Sequence, residues 1–117
     1  MQYMLLIYRN QQEFDAWPEA KKGALYKAFG AFTQGIVKSG AFKAGDPLQP
    51  ISTATTVRVR DGKTLTTDGP FAETREQLAG YYIIDVANLD QAIKIAAEVP
   101  IAAHGSIEVR PIQSMSM

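Results

Sequence analysis

The 117-residue sequence predicts an α+β domain in which two helices cover one face of a sheet, a hairpin is inserted, and a second copy covers the other face. Three observations carry this. Strand-like and helix-like segments follow one another as β-α-β(hairpin)-β-α-β, the split βαβ, ferredoxin-like order. The pair Asp61-Gly62 stands between two short alternating runs and marks a tight hairpin, because both residue types tolerate positive φ. Two strand segments, 2–9 and 79–86, are apolar on both parities, as in strands covered on both faces. Right-handed crossovers place both helices on one side of the sheet. One chain then has no element left for the other side. A symmetric dimer, packed sheet to sheet into an α/β barrel, supplies the missing layer.

The elements follow in order. In residues 2–9, Tyr3, Leu5 and Ile7 alternate with Met4, Leu6 and Tyr8. Residues 10–17 read as polar connection. Pro18 suits the first turn of a helix running to Lys38, with Leu25, Phe29, Phe32 and Ile36 as its apolar stripe. Gly40 is the expected stop. Residues 41–54, with Gly45, Pro47 and Pro50, read as a broken strand and a loop. Thr55, Val57 and Val59 alternate with Thr56, Arg58 and Arg60, which predicts a half-buried strand, and 63–67 return as its partner. Asp68-Gly69-Pro70-Phe71 breaks the sheet: Pro70 cannot donate to a ladder, and Gly69 before it is expected to be extended. Residues 72–77 connect to the strand at 79–86. Asn88 is an N-cap with Gln91 at the capping-box position, and Leu89, Ala92, Ile93, Ala96 and Ala97 form the expected buried stripe of the second helix. Residues 106–112 alternate as a last strand, whose Pro111 suits an edge or a strand end. The domain is expected to span 1–112, with 113–117 a frayed tail.

Composition narrows the chemistry. The chain is 46% apolar and 21% charged, which is ordinary for a folded domain. Twelve basic and twelve acidic residues cancel, so neither the basic stripe that nucleic acid needs nor a cationic patch for an anionic membrane is expected. With no cysteine, thiol nucleophiles, iron–sulfur ligation and disulfides are excluded. With one histidine, His104, a His-rich zinc site is not expected, nor is any cofactor. The first residues lack a basic leader region, and the apolar run Met4–Ile7 is too short to span a bilayer, so the expectation is a cytoplasmic protein.

The segments Thr56-Val57-Arg58-Val59-Arg60, Thr67-Asp68-Gly69-Pro70-Phe71-Ala72-Glu73-Thr74 and Gln77-Leu78-Ala79-Gly80-Tyr81-Tyr82 resemble the YCII-related family, in the branch named for its DGPF motif. Tyr3–Tyr8, Asp85-Val86 with Leu89-Asp90, and Glu108-Val109-Arg110-Pro111 extend the resemblance over roughly residues 2–112. It implies a dimeric ferredoxin-like domain of bacterial origin, often associated with extracytoplasmic-function sigma factors, with no settled reaction. In the wider group a His/Asp pair has been suggested, with the His in the first helix region. Residues 18–40 here contain no His, and His104 does not match that position.

Read residue by residue, Asp68 is the strongest polar candidate, either as general base or ligand anchor, or as the side chain that closes an Asx turn. Glu73 could share acid and base work with it, or stand as a solvated loop carboxylate. Gly69 and Pro70 shape the turn, and Phe71 is expected to plug the core rather than to stack on a ligand. Arg58 and Arg110, with Arg60 and Glu108, alternate outward. If their strands are neighbours, Arg58 can pair with Glu108, or the arginines can floor an anion site. Tyr8, Tyr81 and Tyr82 offer hydroxyls to an interior cavity. Two functions compete: a module that binds a small molecule or a protein such as a sigma factor without catalysis, and a small enzyme using Asp68 and Glu73. Convergence of Asp68, Tyr8 and Arg58 on a deep pocket would favour the enzyme. A shallow pocket with an exposed apolar patch would favour the binding module.

Overall fold

A computed structural model describes residues 1–115. The chain runs β1 (Gln2–Arg9), α1 (Gln11–Asp15), α2 (Glu19–Lys38), β2 (Phe42–Pro47), a 3-10 turn at Ile51–Thr53, β3 (Thr55–Arg60), β4 (Lys63–Asp68), β5 (Gln77–Asp85), α3 (Leu89–Ala97) and β6 (Ser106–Pro111). The main sheet has the order β2-β5-β1-β6, and every neighbouring pair is antiparallel. This is a mixed α/β architecture compatible with the expected ferredoxin-like fold: the outer strands β2 and β6 are reached by way of α2 and α3. The hairpin β3–β4 forms a separate two-stranded sheet.

Alternation decides which residues make the core. On β1, Tyr3, Leu5 and Ile7 are buried against the helices, and on β5 Tyr82 and Ile84 join them. Leu5 and Ile84 have no exposed surface, and burial of a side chain of that size stabilises by about 1.5–3 kcal/mol. From α2 come Leu25 and Ile36, with Phe29 and Phe32 packed half-buried beside them. The opposite parity, Met4, Leu6, Tyr8, Tyr81 and Ile83, is half-buried by neighbours within the sheet and lies outside this core. The chain measures 48 × 48 × 19 Å. A third layer would add about 10 Å to the thin dimension, so helices cover one face of the sheet and the other lies open.

The width has a second source. The radius of gyration is 16.3 Å, against about 13 Å for a compact chain of this length. The β3–β4 hairpin projects as an arm: every residue of β4 is exposed, as is every residue of β3 but Thr56, and Val57, Val59 and Leu65 are 59%, 60% and 48% exposed. Its tip is the expected turn, with φ of 51° at Asp61 and 74° at Gly62. Its base is tied by the Gly69 amide, which donates to the Ala54 carbonyl at 2.7 Å, and by the Thr56 hydroxyl, which donates to the Gly69 carbonyl at 2.8 Å.

Several expectations need correction. Residues 10–17 contain a short helix, α1. The Asn10 side chain accepts the Glu13 amide at 2.8 Å, and Phe14 docks that single turn on the core. One anchor in five residues leaves no periodicity to read. Pro18 stands at the N-cap of α2 rather than inside its first turn. β5 starts at Gln77, two residues early, and a bulge opposite Ile7 and Tyr8 absorbs the irregularity. Gly69 is not extended but has φ +96°, a conformation that side chains disfavour. In α3 the buried stripe is Ala92, Ala96 and the half-buried Ile95, whereas Leu89 and Ile93 are 47% and 49% exposed and Ala97 is exposed too. The small alanines let the helix approach the sheet closely and rotate the larger side chains outward. Asn88 does cap it, accepting the Gln91 amide at 3.0 Å, while Gln91 Oε1 accepts the Ala87 amide. Arg58 and Glu108 cannot pair, because β3 lies in the arm and β6 at the far edge of the main sheet. Glu108 instead meets Arg110 at 3.4 Å. Of the tail, Gln113 to Met115 carry no regular structure, and residues 116 and 117 lie outside the described residues.

Candidate functional site

An apolar concavity lies on the helix side of the sheet, beneath α2 and toward the β2 edge. It has a volume of about 370 Å³. The floor is Ile7 and Arg9 of β1 with Gly80 and Tyr82 of β5; Phe42 and Gly45 of β2 close one side; Tyr26, Phe29, Gly30 and Thr33 of α2 form the roof. Two glycines keep it open for different reasons. A Cβ on Gly45 would stand 2.5 Å from the Tyr82 ring, so this strand can pass over the tyrosine only without a side chain. A Cβ on Gly30 would meet nothing within 4 Å, so the helix leaves a gap where another residue would fill space. Two larger depressions, beside Pro111 to Ser114 and beside Ser39 to Val86, are open grooves at the molecular surface.

The polar groups of the cavity are few. Tyr82 and Thr33 share a hydrogen bond of 2.6 Å across the sheet–helix gap, and Phe32 and Phe42 pack their rings edge-on against Tyr82. This fixes the tyrosine's ring and hydroxyl together. Arg9 continues the inward parity of Tyr3, Leu5 and Ile7, so a guanidinium enters where the pattern otherwise places hydrocarbon. Its carbon lies 3.7 Å from the centre of the Phe14 ring. Its Nε is buried without an acceptor, and among the described residues no carboxylate pairs with it. Burial lowers the Arg9 pKa, opposed by the fields of Tyr26 and Asp15, and an arginine so placed keeps its charge. At the β2 edge, the Tyr81 hydroxyl donates to Asp46 Oδ2 at 2.7 Å, and that bond to a carboxylate holds the phenol above the ordinary tyrosine range.

Of the residues singled out in the sequence, Tyr81 and Tyr82 line this cavity. Arg58 lies on the arm opposite Leu65, and Asp68 ends β4 opposite Thr55, exposed and without a side-chain hydrogen bond among the described residues. Gly69 and Pro70 turn the chain at the arm's base. Phe71 is 79% exposed rather than a core plug, because the return that carries it leaves the arm on the solvent side. Glu73 is exposed in the following connection. Tyr8 and Arg110 belong to the open face of the sheet, Tyr8 half-buried and Arg110 exposed at the edge. The structure does not bring Asp68, Tyr8 and Arg58 together. His104 packs edge-on against Trp17 at 5.2 Å. Arg9, Tyr26, Thr33 and Gly45 were not legible as site residues. Arg9 carried a usable signal, as a charge on the buried parity of an apolar strand.

A family model for the YCII-related domain matches residues 1–116. The chain belongs to the YCII-related family. The YCII-related chain is also 37% identical over 114 residues to an uncharacterised protein of Rhizobium meliloti (strain 1021), a match spanning 96% of this chain and 92% of that protein. The family match covers both the cavity and the arm. Among the described residues, no helix is long and apolar enough to cross a membrane, and no group of three or more His, Cys, Asp or Glu side chains is placed to hold a metal ion.

Proposed function

We propose that this YCII-related chain, of the DGPF branch, is a homodimeric cytoplasmic module that binds a small, largely apolar molecule between α2 and the sheet and performs no reaction on it. The observation that carries the binding is the cavity: about 370 Å³, walled by Ile7, Phe29, Phe42 and the Tyr82 ring, with a gap at Gly30 that the fold leaves unfilled. Sites for small molecules have this make-up, apolar walls with a few fixed polar groups. The non-catalytic half of the reading is supported by where the acid–base candidates stand. Asp68 and Glu73 are on and beyond the arm, and within the cavity the Thr33 and Tyr82 hydroxyls are engaged with each other and the Tyr81 hydroxyl with Asp46. The dimer is supported by the open sheet face of Met4, Leu6, Tyr8 and Ile83, and by the arm. An isolated two-stranded hairpin is marginal in water, so Val57 and Val59, which share one face of the arm, call for a surface, and the second copy is the one always at hand.

The cavity is tested with N-phenyl-1-naphthylamine, an uncharged fluorophore that brightens in apolar sites. The native protein is expected to bind one probe per chain. Gly30→Leu is expected to abolish the response while raising thermal stability, since replacing a mid-helix glycine stabilises by about 0.5–1 kcal/mol and no neighbouring atom lies within 4 Å of the added Cβ. Equal brightening in both proteins would place the probe elsewhere and sink the assignment.

A further inference from the structure

We infer that Arg9 is an anion anchor, and that the molecule this cavity takes is a monocarboxylate with an aromatic or aliphatic body. The inference rests on the reading of the cavity as a ligand site and names the ligand's chemistry. Arg9 sits where β1 turns its apolar parity toward the helices, so its guanidinium is drawn partly out of water. A desolvated charge without hydrogen bonds is unfavourable, and yet among the described residues no side-chain hydrogen bond of Arg9 is formed, and its Nε is buried and unpaired. The nearby carboxylate does not pair with it among the described residues: Asp15 instead accepts from Gln11 Nε2 at 2.8 Å. Asp46, at the cavity edge, accepts from Tyr81. The face of the guanidinium is fixed against Phe14, 3.7 Å from the ring centre. Stacking occupies the face of the plane and leaves its N–H edges to a ligand.

A planar fork of donors matches a carboxylate, which it grips through two parallel bonds. The charge balance selects a single negative charge. Among the described residues Arg9 is the one cation lining the cavity, with no lysine beside it, and the Asp46 carboxylate stands at the edge. A phosphate carrying close to two charges would be left half-neutralised and repelled. Beyond Arg9 the walls are Ile7, Phe29, Phe42 and the Tyr82 ring, which suit hydrocarbon. The ligand is then amphipathic, with its head on β1 and its body beneath α2.

The test uses 1-naphthaleneacetate and its neutral isostere 1-naphthaleneacetamide, titrated calorimetrically into the native protein at pH 7, with inorganic phosphate as a third probe. The acid is expected to bind at least about tenfold more tightly than the amide, the margin of a hydrogen-bonded charge over a neutral group, and to weaken with added salt. Phosphate alone is expected not to bind. In Arg9→Met the acid should fall to the affinity of the amide while the amide is unchanged, which also reports that the variant is folded. In Arg9→Lys, which keeps the charge and loses the fork, a partial preference should remain. Equal affinity of acid and amide for the native protein, binding of N-phenyl-1-naphthylamine alone, or an acid preference that survives in Arg9→Met overturns the anchor and leaves the cavity reading standing. No binding of any naphthyl probe overturns both.

Discussion

Replacing Ile84 with alanine is expected to lower the unfolding free energy by about 3–4 kcal/mol, read from urea melts at a fixed protein concentration. Ile84 has no exposed surface and lies on β5, opposite Tyr3 of β1 on one side and Phe42 of β2 on the other. Truncation removes three carbons from the centre of a layer whose neighbours are held on two strands and cannot close around the gap. The loss is the transfer free energy of those carbons plus a term for the cavity. Domains of this size are stable by about 5–15 kcal/mol, so the variant stands near the edge of folding. Ile84→Val removes one methyl group and should lose only about 0.5–1.5 kcal/mol. Similar melts for native and Ile84→Ala would mean that the strand does not run through the core as described.

The strands carrying this prediction were legible because a period of two is hard to disguise. Tyr3, Leu5 and Ile7 on β1 declare an inner face whatever the helices do, and a continuous apolar run at Met4, Leu6 and Tyr8 declares that the outer face is not simply wet. The capped start of α3 was legible for a local reason: Asn88 and Gln91 need nothing beyond their own turn. The rotation of α3 was not. Leu89 and Ile93 outrank alanine in hydrophobicity, yet closeness of approach to the sheet decided for Ala92 and Ala96, and that is a property of the pair of elements rather than of the helix.

The site was less legible than the fold, again for physical reasons. Asp68-Gly69-Pro70-Phe71 stands out as a motif with a carboxylate in it, but its conformational work is visible: Gly69 at φ +96° and the bond from its amide to Ala54 close the arm's base. The cavity is assembled from single residues of β1, β2, β5 and α2, distant in sequence, and most of them are ordinary aromatics and glycines. Gly45 has meaning only because Tyr82 lies beneath it. Arg9 alone broke a pattern that was already established, and a charge interrupting a buried register is the kind of signal worth weighing ahead of a motif.

Ile83, the next residue toward the start of β5, makes the complementary case. It faces the open side of the sheet, opposite Met4 and Ala44, outside the core beneath the helices. In a dimer packed sheet to sheet, that position becomes interior, and by two-fold symmetry it does so twice. Aspartate there has too short a stem to lift its charge back to water, and burying an unpaired charge costs several kcal/mol at each copy. Even about 4 kcal/mol in total weakens a dissociation constant roughly 10³-fold. The native protein is therefore expected to sediment at twice the 12.8 kDa of one chain, and Ile83→Asp at the mass of one. Ile83→Val, which keeps the face apolar, should remain paired. The variant chain keeps its helix-side core, so its far-ultraviolet dichroism should match the native protein, unlike that of Ile84→Ala on warming. The two neighbours separate the layers of the argument: one substitution acts on the fold within a chain, the other on the contact between chains. A native protein that sediments as one chain at every concentration, or an Ile83→Asp variant that stays paired, would show that the apolar outer parity of β1 and β5 serves some purpose other than meeting its copy.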